Sequence, residues 1–200
     1  MGNSIETART AFRRAGGTLR MSGALRRGVS RRTLYAMRDA GIIERISRGL
    51  YRLADMEPLG NPDLVTVALR VPKGVVCLIS ALAFHDLTTR IPHEVSVAIG
   101  RGVEKPRIEH PPVRFYRFSG AAFDTGVETH KLDGVEVRIY SPEKTVADCF
   151  KYRNKIGLDV ALEALRSWRE RRGTSPDALL EMARVCRVES VLRPYLQALL

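Results

Sequence analysis

Residues 30–41 of the chain carry the pattern of a short helix with a cap at each end. Ser30 is a good N-cap, because its hydroxyl can accept a hydrogen bond from a backbone N–H of the first turn. Gly41 can adopt the left-handed conformation that ends many helices. Leu34 and Met37 lie one turn apart and give the helix one apolar face. The sequence therefore predicts a short amphipathic helix that packs on a core through Leu34 and Met37.

The segments around this helix complete a small domain. Two short apolar runs follow it, at residues 42–46 and 50–53, and a turn containing glycine separates them, which is typical of a β-hairpin. Upstream, residues 5–15 have apolar side chains at helical spacing, and residues 18–27 can form a second, short helix. Three short helices followed by a hairpin predict a winged helix-turn-helix domain.

The last helix of such a domain enters the major groove of DNA, and the hairpin lies on the phosphates beside it. We therefore expect contacts with DNA from the end of the second helix, from the third helix and from the hairpin. Arginine suits this role because its fork of donors matches guanine edges and phosphates. In the alternative explanation these arginines only form a solvated face. The side chains predicted to contact DNA are Arg26, Arg27, Ser30, Arg31, Arg32, Thr33, Tyr35, Arg38, Arg45, Arg48 and Arg52.

The charge distribution supports a polyanionic partner. The chain has 33 Lys and Arg against 22 Asp and Glu, a net charge of +11. Residues 1–57 hold 12 basic residues, all Arg, and 5 acidic ones, so this quarter of the chain carries +7 of the total. Clustered positive charge binds nucleic acid with salt-sensitive affinity. Charge alone does not separate DNA from RNA, so RNA remains an alternative partner.

Composition also limits where the protein works. No run approaches the ~20 apolar residues of a membrane-spanning helix, and the N-terminal residues show no secretory signal pattern. The three cysteines, Cys77, Cys149 and Cys186, are far apart in apolar contexts, which favours buried side chains in a reducing compartment over disulfides. We expect a cytoplasmic protein without a membrane partner.

The sequence predicts two domains. Residues 54–62 contain two prolines, a glycine and two acids and are typical of a linker. We place the boundary there, with a winged helix-turn-helix domain at residues 1–57 and a second domain at residues 58–200.

The second domain mixes helices and strands. A buried helix capped by Ser80 is followed by strand patterns at residues 94–99, 113–118, 127–132 and 135–140, the last two joined by the hairpin signal Asp133-Gly134. Ser141 and Pro142 start another helix, and three more helices follow up to the end of the chain. The expected fold class is α+β, with a mainly antiparallel sheet and a helical C-terminal tail.

Three segments in this order resemble one protein family. They are residues 46–51, ISRGLY; residues 79–88, ISALAFHDLT; and residues 139–150, IYSPEKTVADCF, the last followed by Gly157-Leu158-Asp159 and Ala161-Leu162. With the winged-helix pattern, they resemble the AbiEi antitoxins of type IV (abortive-infection) toxin–antitoxin systems. The resemblance implies an N-terminal domain that binds inverted repeats in its own promoter and represses the operon. It also implies a C-terminal domain that neutralises a nucleotidyltransferase-like toxin encoded beside it.

Catalytic alternatives have less support. His85-Asp86 and Asp148-Cys149 suggest nucleophilic chemistry, but no third orienting group can be named. His85 is better explained as the end of its helix, and Cys149 as part of the core. Glu143, Lys144 and Asp148 follow a strand, where a nuclease could hold acids and a lysine, but an acid favoured by the helix dipole and an exposed lysine explain the pattern better. Neither zinc-ligand spacing nor a phosphate-binding glycine loop occurs, so we expect no enzyme, cofactor or metal.

Three functions therefore remain open. The first is an autorepressing, DNA-binding antitoxin. The second is a winged-helix transcriptional regulator that responds to a small ligand and has no toxin partner. The third is a DNA-targeting nuclease.

Overall fold

The computed structural model describes residues 2–56 and 59–199. It separates into two compact units, Met1–Pro72 with Lys131–Val137, and Lys73–His130 with Arg138–Leu200. The predicted boundary between Glu57 and Pro58 lies outside the described residues, and independent folding of the two parts stays a prediction.

The N-terminal unit has the element order of a winged helix-turn-helix, as predicted. Three helices and three strands, in the order α1-β1-α2-α3-β2-β3, precede a last helix, α4. Strand β3 is central in an antiparallel sheet with the order β1-β3-β2. The elements are α1 (Gly2–Arg14), β1 (Thr18–Arg20), α2 (Met21–Arg26), α3 (Arg31–Asp39), β2 (Ile43–Ser47), β3 (Leu50–Leu53) and α4 (Pro62–Arg70).

The core of this unit lies between α1, α3 and the sheet. Phe12 of α1, Leu34 and Met37 of α3, and Leu53 of β3 are fully buried in one cluster. The predicted inward face of α3 is therefore confirmed. All buried members of this cluster fall between Ala8 and Leu53, so the core is built from a continuous stretch of chain.

The prediction of one helix over residues 18–27 is wrong in its first turn. Thr18–Arg20 form strand β1, where Leu19 pairs with Tyr51 of β3, and only Met21–Arg26 are helical. Leu25, in the helical part, is 37% exposed. Pairing with β3 supplies a hydrogen-bonding partner that local sequence does not reveal, so it overrides the helical pattern.

A five-stranded sheet follows, with the order β6-β5-β4-β8-β7; it belongs to the second unit except for Lys131–Val137, where β7 ends and β8 begins. The α+β class is confirmed. The sheet itself is mixed, because β4 pairs antiparallel with β5, whereas β4 with β8 and β5 with β6 are parallel. Asp133 and Gly134 have φ values of 49° and 79°, as the predicted two-residue hairpin turn requires. The strands are β4 (Val75–Val76), β5 (Val95–Gly100), β6 (Val113–Phe118), β7 (Val127–Leu132) and β8 (Val135–Tyr140).

Helices complete the second unit, and α7 is the most buried of those described. Ser141 caps α7 through the N–H of Lys144, at 3.2 Å, as predicted, and Pro142 opens its first turn. Among the described residues, no helix is long and apolar enough to cross a membrane. The helices are α5 (Leu78–Phe84), α6 (Ala121–Asp124), α7 (Pro142–Lys151), α8 (Arg153–Ile156), α9 (Leu158–Glu170), α10 (Pro176–Val185) and α11 (Glu189–Gln197).

Ser80 does not cap its helix, contrary to the prediction. Helix α5 begins at Leu78 after Cys77, which places Ser80 inside the first turns. Its hydroxyl donates to the carbonyl of Glu94 at 3.2 Å and accepts from the N–H of Ser96 at 2.9 Å. Ser80 therefore ties α5 to strand β5, a role that depends on a segment fourteen or more residues away.

Candidate nucleic-acid interface

The N-terminus of helix α3 is fixed by its predicted cap. The Ser30 hydroxyl accepts from the N–H of Thr33 at 3.0 Å, and the two hydroxyl oxygens lie 2.9 Å apart. This arrangement satisfies one of the free N–H groups of the first turn. It also orients the turn that carries Arg31 and Arg32, both of which are exposed.

The outward face of α3 continues with Tyr35, which is 42% exposed, and Arg38. The guanidinium carbon of Arg38 lies 5.2 Å from the ring centroid of Tyr35. Arg38 also donates to Asp39 Oδ1 from Nη2, at 2.6 Å, and from Nε, at 2.9 Å. The hydrogen bond and the charge of Asp39 raise the pKa of Arg38.

The β2–β3 hairpin, called the wing from here on, stands beside α3. Its turn contains Gly49 at a φ of 71°, and the pairing shifts register between Arg45 and Ser47. Arg45 Nε donates to the Ser47 carbonyl at 3.3 Å. The side chains of Arg45 and Arg48 are exposed on this hairpin, as the sequence predicts for a wing.

Helix α4 contacts the wing through Arg70, and the sequence did not predict this contact. Arg70 Nη2 donates to the carbonyl of Arg48 and lies 3.4 Å from the hydroxyl of Ser47. Because Arg70 is more than twenty residues away along the chain, no local signal could have identified this contact.

A groove of about 390 Å³ separates α3 from the wing. Four side chains predicted to contact DNA line it together. Met21, Gly49 and Tyr51 complete the lining, and the N–H of Met21 donates to the Gly49 carbonyl at 2.8 Å. The four predicted residues are Tyr35, Arg38, Arg45 and Arg48.

The remaining predicted side chains differ in accessibility. Arg26 and Arg27 are exposed at the end of α2, and Arg27 Nη1 donates to the Gly23 carbonyl at 3.2 Å. Arg52 is only 5% exposed, because it lies on the central strand β3. Its Nη1 is 3.8 Å from Glu44 Oε1. Burial and this pairing give Arg52 a role inside the domain, and we leave it out of the interface.

The residues considered for nuclease chemistry occupy the interior of the second unit. Lys144, expected to be exposed, is fully buried, and its Nζ lies 2.6 Å from Asp148 Oδ2. The Cys186 thiol donates to Asp148 Oδ1 at 3.2 Å. Burial raises the pKa of Asp148 to about 6, against the opposing effect of Lys144. Lys144 and Asp148 pair with each other inside the core and are not accessible to a substrate.

The neighbouring candidates are also engaged in internal contacts. Glu143 accepts a hydrogen bond from Trp168 Nε1 at 3.0 Å. His85 ends helix α5, as predicted, and its Nε2 lies 2.7 Å from the Tyr140 carbonyl. Burial lowers the pKa of His85, which favours the neutral ring that donates to this carbonyl. The three cysteines are free and buried, as expected, and the described residues contain no cluster of three metal-ligating side chains.

Comparison with known proteins gives a family-model match in sequence and likenesses in fold to solved structures. The crystal structure of the RV2827C protein from Mycobacterium tuberculosis superposes with a TM-score of 0.56 over 98% of this chain and 81% of that one. At 11% identity, this likeness concerns the fold alone. No curated protein matches the chain. Residues 6–54, from α1 to the end of the wing, match the family model described as transcriptional regulator, AbiEi antitoxin. The match is confined to the winged-helix part, and over residues 6–54 the chain is similar to the AbiEi antitoxin transcriptional regulators.

Proposed function

We propose that the protein is an antitoxin that represses its own operon by binding the promoter and that neutralises a nucleotidyltransferase-like toxin encoded beside it. The observation that carries the DNA-binding half is the groove between α3 and the wing, which arginines flank on both sides. A recognition helix and a wing that are both basic can hold the major groove and the adjacent backbone together.

Each part of this surface has a separate task in the proposal. Arg31, Arg32 and Thr33 lie in the first turn of α3, whose N-terminal residues reach base edges in helix-turn-helix proteins. Arg38, already paired with Asp39, lies nearer the phosphates. The wing supplies Arg45 and Arg48 as phosphate contacts, which position the protein without reading sequence.

The wing gives the first test. Arg48→Ala should weaken binding to all DNA sequences alike and should reduce the slope of log K against log salt by about one, since one phosphate contact is lost. The measurement is a fluorescence-anisotropy titration at several salt concentrations, on the chain's own promoter and on an unrelated duplex. Loss of affinity at one base position only, with an unchanged salt slope, would show that the wing reads sequence instead.

Neutralisation of a toxin is proposed from the resemblance to AbiEi antitoxins and is assigned to residues 58–200. The buried core of this part runs from Val75 to Leu196, separate from the core of the winged-helix domain. A division of labour between two cores allows each function to be tested on its own fragment.

Two fragments test this division. Residues 1–57 should bind the promoter, since the fragment contains the whole core between Ala8 and Leu53, but more weakly than residues 1–72, which retain the Arg70 contacts to the wing. Residues 58–200 should lack promoter binding and still protect cells that express the neighbouring toxin. The measurements are gel-shift titrations and growth curves, with circular dichroism as the folding control. Protection by residues 1–57, or none by a folded 58–200 fragment, would refute the assignment.

A further inference from the structure

The second unit contains a groove outside the surface proposed to bind DNA. It has a volume of about 720 Å³, within the range of small-molecule sites. The loop between α5 and β5 forms one wall, strand β6 another, and helix α8 closes the end. Its lining includes Ile79, Arg90, Ile91, Arg114, Tyr116 and Lys155.

The floor of this groove is apolar. Ile79 and Ile156 are partly buried against the core, and Tyr116 is almost fully buried on β6. Ile91 stands at the rim with 82% of its surface exposed, more than any other large apolar side chain described. A floor and rim of this kind suit the aromatic or aliphatic body of a ligand.

Three positive side chains, Arg90, Arg114 and Lys155, and one carboxylate, Glu94, lie around the apolar floor. Arg114 Nη1 lies 3.3 Å from Glu94 Oε1, and Arg90 Nη2 lies 2.5 Å from Asp159 Oδ2. All four side chains are substantially exposed. Lys155 Nζ lies 5.6 Å from the ring centroid of Tyr152 and has no ion pair among the described residues. Exposed ion pairs contribute little free energy, so an incoming anion can take over such arginines.

The loop that carries the rim is held in place before any ligand arrives. Glu163 Oε1 of helix α9 accepts hydrogen bonds from the Thr89 N–H at 2.8 Å and from the Thr88 and Thr89 hydroxyls, both at 3.1 Å. The Arg90–Asp159 pair adds a second tie to the same helix. A pre-organised wall lowers the entropy that binding must overcome.

We propose that this groove binds a small organic anion, a phosphate or carboxylate joined to an aromatic or aliphatic body. The anion lies between Arg114, Lys155 and Arg90, and the body packs on Tyr116, Ile79 and Ile91. Arginine favours both anions because its fork donates two parallel hydrogen bonds. This site goes beyond the proposed antitoxin function and does not depend on it.

The test uses a matched pair of fluorescent probes on the full chain. Anilinonaphthalene sulfonate carries an anion on an aromatic body, and N-phenylnaphthylamine is the same body without the charge. The sulfonate should bind saturably, with one site per chain and tighter than the neutral probe, and its affinity should fall as salt rises. Equal affinity for the two probes, or binding that does not saturate, would overturn the proposal.

Variants localise the probe. Arg114→Ala and Lys155→Ala should each weaken binding of the sulfonate about 3- to 10-fold, the size expected for one charge-assisted hydrogen bond at a partly exposed site. Arg117→Ala is the matched control, because it removes the same charge from the same strand outside the groove. Ile91→Ser should weaken both probes, and its exposure makes unfolding no concern. An effect of Arg117→Ala as large as that of Arg114→Ala contradicts the site.

Competition separates the two ligand sources. Adenosine monophosphate and decanoate carry a phosphate on a ring system and a carboxylate on an alkyl chain. Displacement of the sulfonate by one of them supports the site and identifies its class. If neither compound displaces the sulfonate, the groove has no site for these anions and the proposal is overturned.

Discussion

Arg31→Ala combined with Arg32→Ala should reduce affinity for the promoter by about 30-fold or more. Each side chain lies in the capped first turn of α3, and an arginine that reads a base edge contributes about 1–3 kcal/mol. Two such losses give at least about 2 kcal/mol, which corresponds to the stated change in the dissociation constant. The single change Arg32→Ala should also relax specificity at one base position.

The control for this experiment keeps the total charge equal. Arg166→Ala combined with Arg169→Ala removes two exposed arginines from helix α9 in the second unit. It should leave promoter affinity within about threefold. These arginines lie outside α3 and the wing, and charges that do not contact the DNA are largely screened at physiological salt. Anisotropy titrations on the promoter and on shuffled DNA measure both effects. Unchanged affinity for the Arg31 and Arg32 double variant would remove α3 from the interface.

Lys144→Ala should lower the free energy of unfolding of the second unit by about 3–5 kcal/mol, since it leaves the buried carboxylate of Asp148 without its partner. The Lys144 Nζ also lies 4.1 Å from the ring centroid of Tyr140 and 4.8 Å from that of Phe118, so the substitution opens a cavity between aromatic rings. Trp168, the single tryptophan of the chain, is fully buried in the same core and reports unfolding in urea by its fluorescence.

A double variant separates charge from packing. Lys144→Met combined with Asp148→Leu replaces the pair by apolar side chains of similar size, a change that is often neutral or stabilising in protein cores. It should recover most of the stability lost in Lys144→Ala. The single variant Lys144→Met, which fills the space but leaves Asp148 unpaired, should remain destabilised. An equal loss of stability in Lys144→Met and in the double variant would show that the ion pair itself stabilises this unit.

Local sequence was sufficient where the determining contacts lie within a few residues. Ser30 and Ser141 cap their helices because the N–H groups that they bind are three residues ahead. Asp133-Gly134 forms a tight turn because both residues tolerate positive φ. The apolar spacing of Leu34 and Met37 selects the buried face of α3, and the opposite face is therefore free to carry its arginines. These features predicted the winged-helix domain and most of its basic surface.

Tertiary structure decided the features whose partners are distant in the chain. Thr18–Arg20 became a strand because β3, about thirty residues later, offers its backbone hydrogen-bonding groups. The same central position of β3 buries Arg52, which was predicted from sequence to contact DNA. Lys144 looks like a solvated lysine in sequence, yet Phe118 and Tyr140 enclose it and Asp148 neutralises it. Burial of a charged or polar group depends on which neighbours the folded chain assembles around it, and no periodicity within one segment encodes that information.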